Sequence, residues 1–120
     1  MTEYHESWDA LPEEVRTIHR ALKSLIEEIE AVDWYHQRAA LTDDASLKGV
    51  LEHNRDEEIE HACMALEWLR RNMPKWDEEL RTYLFTEGDI ASLEEEAEGG
   101  GESSPAKSSD LGIGKLNGGA

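Results

Sequence analysis

Apolar residues recur through residues 12–40 at alternating steps of three and four positions. These positions share one face of an α-helix: Val15, Ile18, Leu22, Leu25, Ile29 and Val32. Pro12 suits the first turn of a helix, and Glu13 and Glu14 suit the positive end of its dipole. The pattern predicts a long amphipathic helix that ends near Ala40.

A second periodic stretch covers residues 45–72, and polar side chains interrupt its apolar series. Its inward positions follow the same steps: Leu47, Leu51, Asn54, Glu58, His61, Ala65 and Trp68. Asp44 or Ser46 can cap the start of this helix, and Pro74 predicts its end. Glu58 and His61 therefore stand where such a helix normally carries Leu or Ala. Burying an ionised carboxylate without a partner is very costly, so these positions are the first candidates for chemistry.

The loop at residues 41–44 is short, which predicts that the two long helices form an antiparallel hairpin. Glu28 borders the first apolar series and precedes the loop by about as many residues as Glu58 follows it. Glu-x-x-His with a facing Glu is half of the ligand set of a di-iron carboxylate bundle. A two-fold dimer would supply the other half, with two metals about 3.5–4 Å apart. Glu57, four residues before His61, satisfies the helical spacing as well.

The remainder of the chain is predicted to contain shorter elements. A third helix is expected over residues 76–86 with Gly88 as its stop, and Asp89 can start a last helix that ends within the acids of 94–98. The expected divisions are a flexible arm at 1–10, a helical domain at 11–98, a disordered linker at 99–110 and a tail at 111–120. In an extended tail Leu111 and Ile113 point to one side, which favours a docking peptide.

Charge narrows the possible partners. The chain has 12 Lys and Arg against 28 Asp and Glu, for a net charge of −16. An acidic surface disfavours nucleic acid and anionic membranes and attracts cations. Cys63 is the only cysteine, so no intrachain disulfide is possible, and the N-terminus lacks the features of a signal peptide. We therefore expect a cytoplasmic protein without a membrane span.

Four stretches together resemble the encapsulated ferritins: EEIEAVDWY (27–35), HNRDEEIEH (53–61), LEWLRRN (66–72) and LRTYLFTEG (80–88). The resemblance implies an all-α, ferritin-like four-helix bundle that forms only by dimerisation of the hairpins. It implies a ferroxidase with two iron ions per dimer interface, held by Glu28, Glu58 and His61, with Tyr35 beside them. An outer site that attracts iron or other divalent cations would include Glu27 and Glu30, with Trp34 next to it.

The same resemblance extends to partners. The ending LGIGKL (111–116) is similar to the peptide that loads such proteins into encapsulin shells, which assigns targeting to Leu111, Gly112, Ile113, Gly114 and Leu116. The family implies a ring of five dimers inside the encapsulin compartment, to which oxidised iron is delivered for storage.

The residues alone leave other functions open. Peroxide reduction could occur at the same di-iron centre. A non-catalytic iron-binding or chaperone module would bind metal without turnover, and an acidic helical adaptor dimer would bind none.

Overall fold

The computed structural model describes residues 4–99, in which every regular element is a helix. The helices are α1 (Glu13–Leu41), α2 (Ala45–Asn72), α3 (Pro74–Tyr83) and α4 (Ile90–Gly99), preceded by one 3-10 turn at Trp8–Ala10. Helices α1 and α2 pack against each other along their length, and the three-residue loop between them makes the pair antiparallel. The predicted all-α class, with two long and two short helices, is confirmed. The predicted linker beyond Gly99 and the predicted targeting residues at 111–116 lie outside the described residues.

The chain divides into two compact units, Met1–Met73 and Pro74–Ala120. The first contains the hairpin, and the second contains α3 and α4. No helix within residues 4–99 is long and apolar enough to cross a membrane.

The start of α2 is fixed by a side-chain cap. The Asp44 carboxylate accepts a hydrogen bond from the Leu47 backbone N–H at 2.8 Å, which satisfies a donor that the first helical turn leaves unpaired. At the other end, Pro74 cannot continue the α2 hydrogen-bond ladder and instead begins α3, a position that suits its fixed φ. The predicted bounds of α2 therefore agree with the structure.

Helix α3 differs from its predicted range at both ends. It begins at Pro74 rather than Trp76 and ends at Tyr83 rather than Thr86. The early end has a local cause, because Phe85 adopts a φ of 60°. This left-handed conformation at the second residue after a helix usually falls to Gly or Asn. Gly88 also has a positive φ, but it lies beyond the point where the helix has already ended.

The N-terminal segment, predicted to be a flexible arm, contacts α1. The Arg16 guanidinium lies 3.8 Å from the centre of the Trp8 ring and donates hydrogen bonds to the Trp8 carbonyl oxygen at 2.8 and 3.1 Å. These contacts hold the 3-10 turn at Trp8–Ala10 against the first turns of α1.

Very little of the hairpin is buried. Among residues 4–99 only Ala39 and Leu69 are buried, at 3% and 0% exposure. The predicted series therefore needs a correction: Ile29 is 55% exposed, and Leu69, which the series omits, is the most buried side chain. Large apolar side chains remain exposed along both long helices: Val15, Ile26, Ile29, Trp34, Leu41, Leu47, Val50, Ile59, Met64 and Trp68. Exposed apolar side chains in this number favour an interaction surface on the hairpin.

Candidate metal centre

Three side chains from the two long helices converge near the middle of the hairpin. Glu28 comes from α1, and Glu58 and His61 come from α2. One ligand atom of each lies within 4.8 Å of the other two. The convergence follows from the antiparallel geometry, since Glu28 and Glu58 stand at similar distances from the loop. Within residues 4–99 no other group of three such side chains converges in this way.

The ring of His61 turns its Nδ1 atom towards both carboxylates. Nδ1 lies 3.2 Å from Glu58 Oε1 and 3.7 Å from Glu28 Oε1. The Glu28 and Glu58 side chains are 28% and 25% exposed, and that of His61 is 44% exposed. The three groups are therefore partly withdrawn from solvent and remain open on one side.

The two carboxylates and the imidazole shift one another's pKa values. A hydrogen bond between them raises the pKa of Glu28, which burial and the Glu58 charge raise further, while it lowers the pKa of Glu58. The hydrogen bond to Glu58 raises the pKa of the His61 imidazole, aided by the charges of Glu28, Glu58 and Glu57. A bound cation would compete with protons at these groups.

The donor set is suited to iron, manganese or zinc, because carboxylate oxygens and imidazole nitrogen bind all three. The one cysteine, Cys63, is exposed, and it is not part of the convergent group. Three donors from one chain leave coordination positions open, and they are half of the set that a di-metal carboxylate bundle uses.

Glu57 contacts His61 from the opposite side of the ring. Its Oε1 atom lies 4.0 Å from His61 Nε2, whereas Glu58 faces Nδ1. Glu57 and Glu58 therefore face different nitrogens of the His61 ring, and only Glu58 lies on the same side of the ring as Glu28. Glu57 and His61 could therefore share an ion only on the Nε2 side of the ring, apart from Glu28 and Glu58.

The remaining candidates lie outside the convergent group. Tyr35 is half-buried, and the Arg38 guanidinium lies 5.3 Å from the centre of its ring. Glu27 acts on the cluster through its charge, which contributes to the raised pKa of Glu28. Glu30 and Trp34 are exposed on α1. The Arg38–Tyr35 contact was not predicted, although a cation three residues after an aromatic residue on a helix is a recognisable signal.

Comparisons with known proteins identify relatives of this chain. A sequence model of the EncFtn-like family matches residues 3–87. A ferritin-like protein of Thermotoga maritima is 59% identical over 114 residues, covering 95% of this chain and 97% of that protein. An encapsulated ferritin-like protein of Rhodospirillum rubrum is 52% identical over 122 residues, covering 95% of this chain and 87% of that protein.

A crystal structure of a Nitrosomonas europaea protein shares the fold. It has 55% sequence identity and a TM-score of 0.72, and the match covers 73% of this chain and 97% of that one. The family match spans the hairpin and α3, and it includes all three converging side chains. The resemblance drawn from the sequence is confirmed, and the chain belongs to the EncFtn-like family of encapsulated ferritins.

Proposed function

We propose that this protein is a ferroxidase that oxidises Fe(II) to Fe(III) with dioxygen at a centre built between two subunits. The observation that carries the proposal is the convergence of Glu28, Glu58 and His61 within 4.8 Å. Membership of the EncFtn-like family supports the iron chemistry.

Two subunits are needed because one hairpin offers too few ligands for two ions. In a two-fold dimer each of the three side chains occurs twice around the axis. Four carboxylates and two imidazoles would then surround a pair of ferrous ions, and Glu58 or Glu28 would bridge them. The exposed apolar side chains of α1 and α2 provide the surface that such a dimer would bury.

The electron balance sets the iron requirement. Each Fe(II) loses one electron, so two ions together reduce one dioxygen, which takes up two protons and leaves as hydrogen peroxide. The carboxylates of Glu28 and Glu58 favour the product, because hard oxygen donors bind the more highly charged ion more strongly. Ion binding would compete with protons at Glu28 and His61, whose pKa values are raised.

Other side chains take supporting roles in this proposal. Tyr35, whose ring centre lies 5.3 Å from the Arg38 guanidinium, would lie beside the centre. Glu27 and Glu30 form an outer site that attracts ferrous iron or other divalent cations towards it, and Trp34 borders that site. The strong negative charge of the chain raises the local concentration of cations in the same way.

The protein would act inside an encapsulin shell. The sequence LGIGKL at 111–116 would attach the chain to the inner surface of the shell, and oxidised iron would accumulate in the shell lumen. We further propose a ring of five dimers. The relative from Rhodospirillum rubrum is itself described as encapsulated.

Substitution of the ligands tests the catalytic part of this proposal. Glu58→Ala and His61→Ala are expected to abolish fast Fe(II) oxidation, followed by ferric absorbance and oxygen consumption. Glu60→Ala is the matched control, since it removes an exposed acid next to His61 and should retain turnover. Near-normal rates in the two ligand variants would refute the assignment. Iron uptake that stops after stoichiometric filling would instead identify a non-catalytic iron-binding module, and faster use of peroxide than of dioxygen would identify a peroxidase.

A truncation tests the targeting part. Removal of residues 107–120 should leave oxidation unchanged and abolish co-purification with a co-expressed shell protein. Loss of oxidation in the truncated chain would contradict a tail that serves only as an address.

A further inference from the structure

The imidazole of His61 has a carboxylate on each side. Its Nδ1 atom faces Glu58 and Glu28 at 3.2 and 3.7 Å, while its Nε2 atom faces Glu57 Oε1 at 4.0 Å. A histidine that binds a metal through one ring nitrogen almost always donates the N–H of the other to a carboxylate, a carbonyl or water. Glu57 is a carboxylate at the nitrogen that the proposed metal centre does not use.

Glu57 also faces a second imidazole. Its second oxygen, Oε2, lies 3.9 Å from Nε2 of His53. His53, Glu57 and His61 follow one another at four-residue spacing and so form a row on one face of α2. Glu57 thus lies between two imidazoles, and each of its carboxylate oxygens faces one of them. These distances place both imidazoles within reach of the Glu57 carboxylate.

We propose that Glu57 is a positioning residue, which fixes the ring orientation of His61 so that Nδ1 points towards the metal. This inference rests on the proposed function, because it requires His61 to be a ligand. The distance of 4.0 Å is about 1 Å longer than a hydrogen bond, and hydrogen bonds at ligand-free sites are commonly long before the site is filled. The Glu57 side chain is about half exposed, so rotation about its bonds can close that gap.

A direct role for Glu57 as a ligand fits the geometry less well. A ligand on the Nε2 side would share no ion with Glu58 and Glu28, which face Nδ1. Glu57 also falls outside the group of converging ligand atoms. Orientation of the ring is therefore the role that its placement supports.

The experiment uses Co(II) as the probe with the full-length protein, and it compares Glu57→Ala, Glu57→Gln and Glu60→Ala. Loss of a carboxylate that orients a ligating histidine weakens metal binding roughly 10–100-fold. We expect that loss of Co(II) affinity for Glu57→Ala, measured by calorimetry with a competing chelator. Glu57→Gln keeps an acceptor oxygen and should lose less affinity. Glu60→Ala removes the same charge from a neighbouring exposed position and should bind within about twofold of the parent.

A second readout separates orientation from general destabilisation. In the Co(II)-loaded parent the Nε2–H of His61 should give a hyperfine-shifted proton signal that exchanges slowly with solvent. Glu57→Ala should broaden or remove this signal, and His61→Ala should remove it entirely. Equal affinity and an unchanged signal in Glu57→Ala would overturn the inference. If His61→Ala bound Co(II) as tightly as the parent, the proposed metal centre itself would fail, which is a distinguishable result.

Discussion

Replacement of Ile29 by Gln should weaken self-association, because the exposed apolar face of the hairpin is proposed to be covered by a second copy. Ile29 belongs to the apolar series of α1, yet it is 55% exposed in the single chain. Gln is a good helix former, so α1 should persist in the variant. The substitution therefore removes apolar surface from the proposed interface and leaves the helix intact.

The size of the effect follows from that exposed fraction. Full burial of an isoleucine side chain contributes about 1.5–3 kcal/mol, so burial of the remaining 55% contributes roughly 0.8–1.6 kcal/mol per copy. Ile29 occurs twice in a symmetric dimer, and the sum corresponds to a dissociation constant weakened about 15- to 200-fold.

Sedimentation equilibrium of the metal-free protein over a dilution series measures this constant. Glu30→Gln provides the control, since it introduces the same side chain at the adjacent, exposed position outside the apolar series. If Ile29→Gln and the parent dissociate over the same concentration range, the face that contains Ile29 is not the dimer interface.

Three further predictions concern stability and pH. Asp44→Ala should lower the free energy of unfolding by about 1 kcal/mol in urea titrations, because it removes the cap of α2, whereas the exposed neighbour Asp43→Ala should have little effect. Hydrogen bonds from two arginines lower the pKa of Glu67 to about 2; the associated stability is present above about pH 4.5 and is lost as the pH falls towards 2. Because the Glu67 side chain is 41% exposed, Glu67→Gln should lower the free energy of unfolding by only about 0.5–1 kcal/mol at neutral pH. The free energy of unfolding of this variant should also depend less on pH in the acid range, between about 2 and 4.5. The raised pKa values of Glu28 and His61 predict that Co(II) affinity increases as pH rises from about 5 to 8. A Co(II) affinity that calorimetry finds constant over this pH range would contradict competition between the metal and protons.

The bounds of α2 could be predicted from the sequence because a capping residue and a proline mark its ends. The end of α3 could not be predicted in this way. The bounds of α2 follow from Asp44 and Pro74, whose effects on the backbone are local. The end of α3 depends on Phe85, which takes a left-handed conformation that its side chain does not favour. No local rule chooses Phe85 over the nearby Gly88 for that role.

The apolar series predicted the face of each helix but not its burial. Spacing identifies Ile29 as a member of the stripe, and only the fold reveals that one chain leaves it largely uncovered. Leu69 was missed for a related reason, since steps of three and four selected the adjacent Trp68. A helix stripe is wider than a single line of residues, and the packing partner decides which of its members is buried.

The candidate centre was predictable in position and not in orientation. Residue counts from the loop placed Glu28 opposite Glu58, because helical rise is uniform. The same counting allowed Glu57 as well as Glu58, since both lie within a turn of His61. The choice between them depends on which ring nitrogen each carboxylate faces, and side-chain rotation decides that independently of spacing.

Association and cation binding should depend on each other, because the apolar face and the acidic cluster lie on the same two helices. Two chains of net charge −16 repel each other, and a dimer would bring four carboxylates into one small space. Apolar burial favours the dimer, and cations that bind between the carboxylates remove part of the repulsion. Linkage is reciprocal: if metal binding strengthens dimerisation by some factor, dimerisation strengthens metal binding by the same factor. Ile29, which offers no ligand atom, should therefore influence metal occupancy, and His61, a partly polar and exposed side chain, should influence assembly.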